Sequence, residues 1–154
     1  MRSLMVSTLV AATLALSGCA STSQVGQSEK LALYRSHAGE PVPSFRLFGS
    51  LTSWTALGEN ALAVWTRPNE AWLLELSAPC RDLDFATAIG LTDSAGRVAA
   101  RFDRVIPQQA GGGSTMQLPC IIQTIRPLDT SAIRAGEREL REGAAAGKAQ
   151  PSGT

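Results

Sequence analysis

The chain has 154 residues, of which 44% are hydrophobic and 18% charged. This length fits one domain, and the apolar content excludes a wholly disordered chain. Because 14 Lys and Arg are balanced by 13 Asp and Glu, no basic excess favours nucleic acid as a partner.

The N-terminal residues 1–18 have the pattern of a lipoprotein signal peptide. Arg2 precedes an apolar run over residues 4–16 that is too short to span a bilayer as a helix. Residues 16–19 read Leu-Ser-Gly-Cys, which resembles the lipobox of bacterial lipoproteins. The resemblance implies cleavage before Cys19 and its acylation, including palmitate, so that lipid attaches the chain to a membrane. An ordinary secretory signal cut near Ala20 is the alternative.

The residues after Cys19 indicate the destination of the chain. Ala20 and Ser21 follow it, with no Asp, and by resemblance to the enterobacterial sorting rule this pattern favours the outer membrane over the inner membrane. Residues 19–27 are small and polar, which is typical of a tether. We therefore expect a globular domain, residues 28–142, in the periplasm, where another envelope protein is a possible partner.

Two further cysteines, Cys80 and Cys120, remain if Cys19 carries lipid. An even pair in an exported chain predicts one disulfide, because the envelope is oxidising. It would close a loop of 40 residues and stabilise the fold by about 4 kcal/mol. Buried free thiols are an alternative. A metal site is another, but with only the distant His37 to add it has too few ligands.

The first predicted element is a short helix that begins with Ser28 as its N-cap and ends near Gly39, before two prolines. Short strands are expected over residues 44–48 and 51–57. Two apolar runs, residues 61–66 and 71–76, then flank the turn sequence Arg-Pro-Asn-Glu, which predicts a β-hairpin.

The second half of the chain continues with strands and ends in a helix. Alternation predicts one half-exposed strand over residues 97–106, and a glycine-rich loop at 111–113 separates it from a buried strand at 120–125. A closing helix over residues 132–142, capped near Asp129, precedes a tail, 143–154, that is predicted to be disordered.

These elements predict a mainly β domain. We expect an antiparallel sheet curled into a small sandwich or partly open barrel, with short N- and C-terminal helices at its margins.

A series of short matches runs from Tyr34 to Asp129 and resembles an uncharacterised family. The matches, in chain order, are His37-Ala38-Gly39, Ser44-Phe45, Trp54-Thr55, Leu57-Gly58, Val64-Trp65-Thr66, Pro68-Asn69, Leu73-Leu74-Glu75-Leu76, Cys80, Ile89-Gly90-Leu91-Thr92, Arg101-Phe102-Asp103, Cys120-Ile121 and Ile125-Arg126-Pro127. Their order is similar to that in a domain-of-unknown-function family of small exported proteobacterial proteins. The resemblance implies a lipoprotein domain with paired cysteines and no assigned activity.

No catalytic motif is present in the sequence. It contains no G-x-S-x-G elbow, H-E-x-x-H or C-x-x-C, and its single histidine, His37, is expected to pack or to cap a helix. We expect Asp82 and Asp84 to be solvated, and Asp103 to belong to a surface cluster with neighbouring arginines. The sequence therefore predicts no catalytic residue, no cofactor and no metal.

Three tryptophans, Trp54, Trp65 and Trp72, stand out in a chain that is poor in aromatics. On neighbouring strands they would form either part of the core or an exposed binding surface. The sequence thus favours an envelope lipoprotein of unknown biochemical role, a non-enzymatic binding or structural module. The alternative is a small periplasmic enzyme or ligand carrier that uses His37 and nearby carboxylates.

Overall fold

The structure is a computed structural model that describes residues 21–110 and 118–148. The signal peptide, Cys19, the glycine triplet at 111–113 and residues 149–154 lie outside the described residues. In chain order the elements are α1 (Ser21–Ser36), β1 (Ser44–Arg46), β2 (Ser53–Ala56), β3 (Ala61–Arg67), β4 (Glu70–Leu76), β5 (Ala88–Leu91), β6 (Arg97–Ala99), β7 (Arg104–Gln108), β8 (Cys120–Leu128) and α2 (Thr130–Lys148).

Eight antiparallel strands form two open sheets. The larger sheet has the order β2-β3-β4-β8-β7-β5, and the smaller pairs β1 with β6. The predicted fold class is therefore confirmed: the domain is mainly antiparallel β, with one helix near each end of the described chain. Among the described residues, no helix is both long and apolar enough to cross a membrane.

The predicted hairpin is confirmed as β3 and β4, which are joined through Pro68 and Asn69. In each strand the alternate residues face opposite sides of the sheet, as the pleat requires. Val64 pairs with Trp72 on one face, whereas Ala63 pairs with Leu73 on the other. Both faces are buried, which explains why these runs are almost continuously apolar.

Each face of the larger sheet contacts its own apolar cluster. On one face the cluster is completed by the small sheet, whose Phe45 and Val98 pack against Val64 and Leu74. On the other face Tyr34 of α1 and Ile133 of α2 pack on Leu73 and on small alanines of β3 and β4. The small alanine side chains leave room for the two helices to lie close to the strands.

Both helices are longer than the sequence predicted. Helix α1 begins at Ser21 instead of near Ser28, and so includes residues 21–27 of the predicted tether. Helix α2 continues to Lys148, beyond the expected end at 142. The two helices pack on each other as well as on the sheet. The described residues that lengthen them, 26–27 of α1 and 143–148 of α2, are exposed.

The approach of the helices explains the glycine in the middle of α2. A Cβ atom on Gly136 would lie 2.3 Å from Cδ1 of Leu33 in α1. Glycine weakens a helix, yet at this position its missing side chain permits the contact with α1. On the opposite side, Arg134 donates hydrogen bonds to the Pro68 carbonyl and the Asn69 side chain, which attaches α2 to the hairpin turn.

The prediction of a single strand over residues 97–106 is wrong. The chain forms β6, turns at Ala100–Phe102 and continues as β7, so the two halves pair with different partners. Arg101 adopts a positive φ of 70° in this turn. Alternation alone could not reveal the break, because it arises from hydrogen bonds made by the Asp103 side chain.

Candidate functional site

A cleft of about 660 Å³ lies beside β8, where the entry to β1 and the turn after β6 approach that strand. Its walls are the segment 41–44 that enters β1, the segment 97–102 of β6 and the following turn, and residues 123–126 of β8. Its volume falls within the range of small-molecule sites, about 300–1,000 Å³.

Backbone hydrogen bonds attach two of these wall segments to β8. The N–H of Val42 donates to the carbonyl of Ile125 at 2.8 Å, and the N–H of Arg101 donates to the carbonyl of Ile122 at 2.6 Å. Between these two anchors β8 is irregular, because Leu76 and Glu75 of β4 pair with Ile122 and Thr124 and leave Gln123 as the extra residue. Bulges of this kind redirect side chains next to functional sites.

Asp103 shapes the turn that carries Arg101 and Phe102 into the cleft. One carboxylate oxygen accepts a hydrogen bond from the Thr92 hydroxyl at 2.7 Å, and the other accepts from the N–H of Ala99 at 2.7 Å. Asp103 is buried, with 9% of its surface exposed. The expectation of a surface charge cluster here is therefore wrong, since this carboxylate is used to hold the turn.

The described lining of the cleft is cationic. It includes Arg97, Arg101 and Arg126 but no Asp, Glu, His or Cys. Arg97 donates to the Ser44 hydroxyl at 3.2 Å, and Nε of Arg126 lies 3.8 Å from a carboxylate oxygen of Glu75. The guanidinium of Arg101 has no hydrogen bond or ion pair within residues 21–110 and 118–148.

An exposed aromatic ring adjoins these charges. Phe102 also lines the cleft and is 81% exposed, although phenylalanine is usually buried. Guanidinium groups bind carboxylates and phosphates through paired hydrogen bonds, while a phenyl ring stacks on planar or apolar groups. The described lining therefore combines groups that bind anions with a ring that stacks on apolar groups.

Residues 1–144 match the model of a family of unknown function, DUF6491. The chain belongs to the DUF6491 family. Comparisons of this DUF6491 chain with curated proteins and with solved structures returned no match.

The predicted disulfide of the DUF6491 domain is present between Cys80 and Cys120, whose Cα atoms are 5.9 Å apart. It joins the turn after β4 to the first residue of β8. Cys80 is buried in the cluster beneath the small sheet. Within the described ranges, no group of three or more His, Cys, Asp or Glu side chains is placed to hold a metal ion.

The three tryptophans are distributed over both faces of the DUF6491 sheet. Trp54 and Trp72 pack against the cluster under the small sheet, where Trp72 stacks on Phe45 with ring centroids 5.2 Å apart. Trp65 lies on the helix-covered face, edge-on to Tyr34 at 6.2 Å. All three are partly buried, and the structure does not bring them together on one surface.

His37 lies near one carboxylate, that of Asp129. The carbonyl of His37 accepts a hydrogen bond from the N–H of Asp129 at 3.1 Å. Asp129 is the N-cap of α2, where its side chain accepts from Ser131 and from the N–H of Ala132. These hydrogen bonds, from Ser131 first and then Ala132, lower the pKa of Asp129, with a smaller contribution from the nearby His37. Its carboxylate is thus engaged in capping a helix.

The cleft residues were not identified from the sequence, although a signal for them exists. The three lining segments are short and widely separated along the chain, and together they contain arginines without a single acidic residue. Only the packing of the small sheet beside β8 brings these segments together.

Proposed function

We propose that this protein is a lipid-anchored component of the bacterial envelope whose β domain binds a ligand in the cleft without catalysing a reaction. The observation that carries the proposal is the composition of the cleft, which has three arginines and an exposed phenylalanine but no described nucleophile-and-base pair. Such a lining recognises a ligand without supplying the groups that would transform it.

The location in the envelope is supported by two features of the chain. Residues 16–19 resemble a lipobox, which makes Cys19 the acylated residue. The disulfide between Cys80 and Cys120 is of the kind that persists in oxidising compartments such as the periplasm. We place the protein at the outer membrane, with its domain in the periplasm, because no Asp follows Cys19.

Mass spectrometry of the full-length protein purified from the membranes of a Gram-negative host tests the anchor. We expect an acylated N-terminal peptide that begins at Cys19, and we expect Cys19→Ser to remove both the acylation and the membrane association. The double variant Cys80→Ala, Cys120→Ala is the control and should remain acylated. A wild-type chain that begins with an unmodified residue such as Ala20 would contradict the proposal.

Site-specific photocrosslinking in intact cells tests the binding role. A photoreactive phenylalanine analogue replaces either Phe102 in the cleft or Phe85, which is 77% exposed and outside the cleft lining. We expect one dominant adduct from position 102 and none from position 85, with its identity read by mass spectrometry. Equal labelling from both positions, or none from either, would argue against a binding role for the cleft.

A further inference from the structure

We propose that the cleft binds a small oxyanion ligand, a carboxylate or phosphate attached to an apolar planar group. This inference rests on the proposed function, because it names the ligand class of the same cleft. The arginines would bind the oxyanion, and Phe102 would pack on the apolar part.

Positive charge in the cleft is only partly neutralised by the described part of the chain. From residue 94 to residue 128 the sequence contains four arginines and one acidic residue, Asp103. Both oxygens of Asp103 already accept hydrogen bonds, from Thr92 and Ala99. Arg101 therefore lines the cleft without a described counter-ion.

On the helix side of the sheet, by contrast, two cations of α1 have carboxylate partners. Lys30 lies 3.4 Å from Glu137, and Arg35 lies 2.9 Å from Glu75. Arg126 lies opposite Leu73 in the sheet and shares Glu75 with Arg35, at 3.8 Å. Within the described residues, neither Arg97 nor Arg101 has a carboxylate partner. The cleft thus keeps positive charge that a bound anion could neutralise.

The turn that carries Arg101 and Phe102 has a strained backbone. Arg101 has a φ of 70°, a left-handed conformation that residues other than glycine rarely adopt. The Asp103 hydrogen bond to Ala99 closes this turn, and Ile122 accepts from the N–H of Arg101. Strained backbone of this kind is concentrated at ligand sites, where surrounding structure maintains it. Here it places an arginine and a phenylalanine side by side at the cleft.

Isothermal titration of the full-length protein in detergent, with phenyl phosphate and benzoate as probes, tests the ligand class. We expect saturable binding of at least one probe, tighter than that of inorganic phosphate or of phenol. Arg101→Gln should weaken the binding about tenfold or more, because a charge-assisted hydrogen bond is lost. Phe102→Ala should weaken the binding of phenyl phosphate more than the binding of inorganic phosphate.

The matched control is Arg81→Gln, which removes the same charge from an exposed turn outside the cleft lining. It should leave the affinity unchanged. Arg101→Gly is a second variant, because glycine accepts the positive φ without strain and still removes the guanidinium. No saturable binding, or equal weakening by Arg81→Gln and Arg101→Gln, would overturn the proposal.

Competition with lipid in mixed detergent micelles identifies the source of the oxyanion. If micelles containing phosphatidylglycerol displace the bound probe and micelles containing phosphatidylcholine do not, the oxyanion is a lipid headgroup. If neither displaces it, the oxyanion belongs to a soluble molecule. If the acylated protein binds none of the probes, only the ligand class is overturned. If a chain that is not acylated binds a probe, only the envelope location is overturned.

Discussion

The two faces of the six-stranded sheet are covered in different ways. One face is covered by α1 and α2, which pack Tyr34 and Ile133 over small alanines of the hairpin. The other is covered by the two-stranded sheet, β1 and β6, with the disulfide at its side. Both clusters are apolar at their centres, and the 660 Å³ cleft opens at the margin of the second.

This difference shows how the domain can be stabilised on one face and carry the candidate binding site on the other. On the helix-covered face two cations of α1 are paired, Lys30 with Glu137 and Arg35 with Glu75. Beside the small sheet, Arg97 and Arg101 have no carboxylate partner among the described residues, and a disulfide holds the neighbouring segments together. The helix-covered face is thus built for packing, whereas the other face carries the candidate site.

Removal of the disulfide is expected to have the largest effect on stability. It tests how far the face covered by the small sheet depends on a covalent link. The double variant Cys80→Ala, Cys120→Ala should lose about 4 kcal/mol of unfolding free energy, because the unfolded chain is no longer constrained by a 40-residue loop. Urea unfolding measures the loss. Reduced wild-type protein should unfold at nearly the same urea concentration, and a loss below about 1 kcal/mol would contradict the loop-closure estimate.

Substitution of two adjacent leucines of β4 compares the contributions of the two clusters to stability. Leu73 faces the helices and Leu74 faces the small sheet, and both are fully buried. Replacing either with alanine should lower the unfolding free energy by about 2–5 kcal/mol, since each change leaves a cavity.

The readout that distinguishes the two variants is the coincidence of unfolding monitored by far-ultraviolet circular dichroism and by tryptophan fluorescence. A single cooperative unit predicts coincident transitions in both variants. Separate transitions in Leu73→Ala would mean that the helices detach from a sheet that remains folded.

A smaller effect is expected from substitutions at the contact between the two helices. Gly136→Ala should lower stability by about 1 kcal/mol, because overpacking against Leu33 outweighs the gain in helix propensity. Gly143→Ala, in the same helix, is the control, since a Cβ atom there meets nothing within 4 Å. It should stabilise the protein by up to about 1 kcal/mol. Thermal unfolding measures both, and stabilisation by both substitutions would show that Leu33 moves aside freely.

The smallest expected effect concerns Tyr34, which donates a hydrogen bond to Glu137 at 2.8 Å. Tyr34→Phe should lower stability by about 1 kcal/mol at neutral pH, through loss of that hydrogen bond. Burial, followed by the hydrogen bond and the charge of Glu137, raises the pKa of Tyr34 well above its ordinary value.

This raised pKa predicts a pH dependence with a definite sign. The folded protein retains the Tyr34 proton where the unfolded chain loses it, so unfolding free energy is unaffected below about pH 10 and falls as the pH rises further. Because Tyr34 is the single tyrosine of the chain, tyrosinate absorbance reports it directly. Titration at the ordinary tyrosine pKa in folded protein would contradict the buried environment.

Much of the fold could be predicted from local patterns. The hairpin followed from two apolar runs around Pro68 and Asn69. The disulfide was predicted by assigning Cys19 to the lipid, which leaves Cys80 and Cys120 as a pair. The strand over 97–106 was predicted wrongly, because its alternation continues through a turn that Asp103 closes with hydrogen bonds to Thr92 and Ala99. Residue periodicity contains no information about such side-chain contacts.

The sequence by itself determined the β class of the domain, its central hairpin and its cysteine pairing, since each depends on the types of residues and their order along the chain. Tertiary structure alone decided that the tryptophans lie on opposite faces, that Asp103 is buried and that Arg97, Arg101 and Arg126 line one cleft. The physical reason is that these features depend on backbone hydrogen bonds between distant segments, such as Val42 to Ile125 and Arg101 to Ile122. A local pattern selects a strand and the faces of that strand, but only the pairing of strands selects its neighbours.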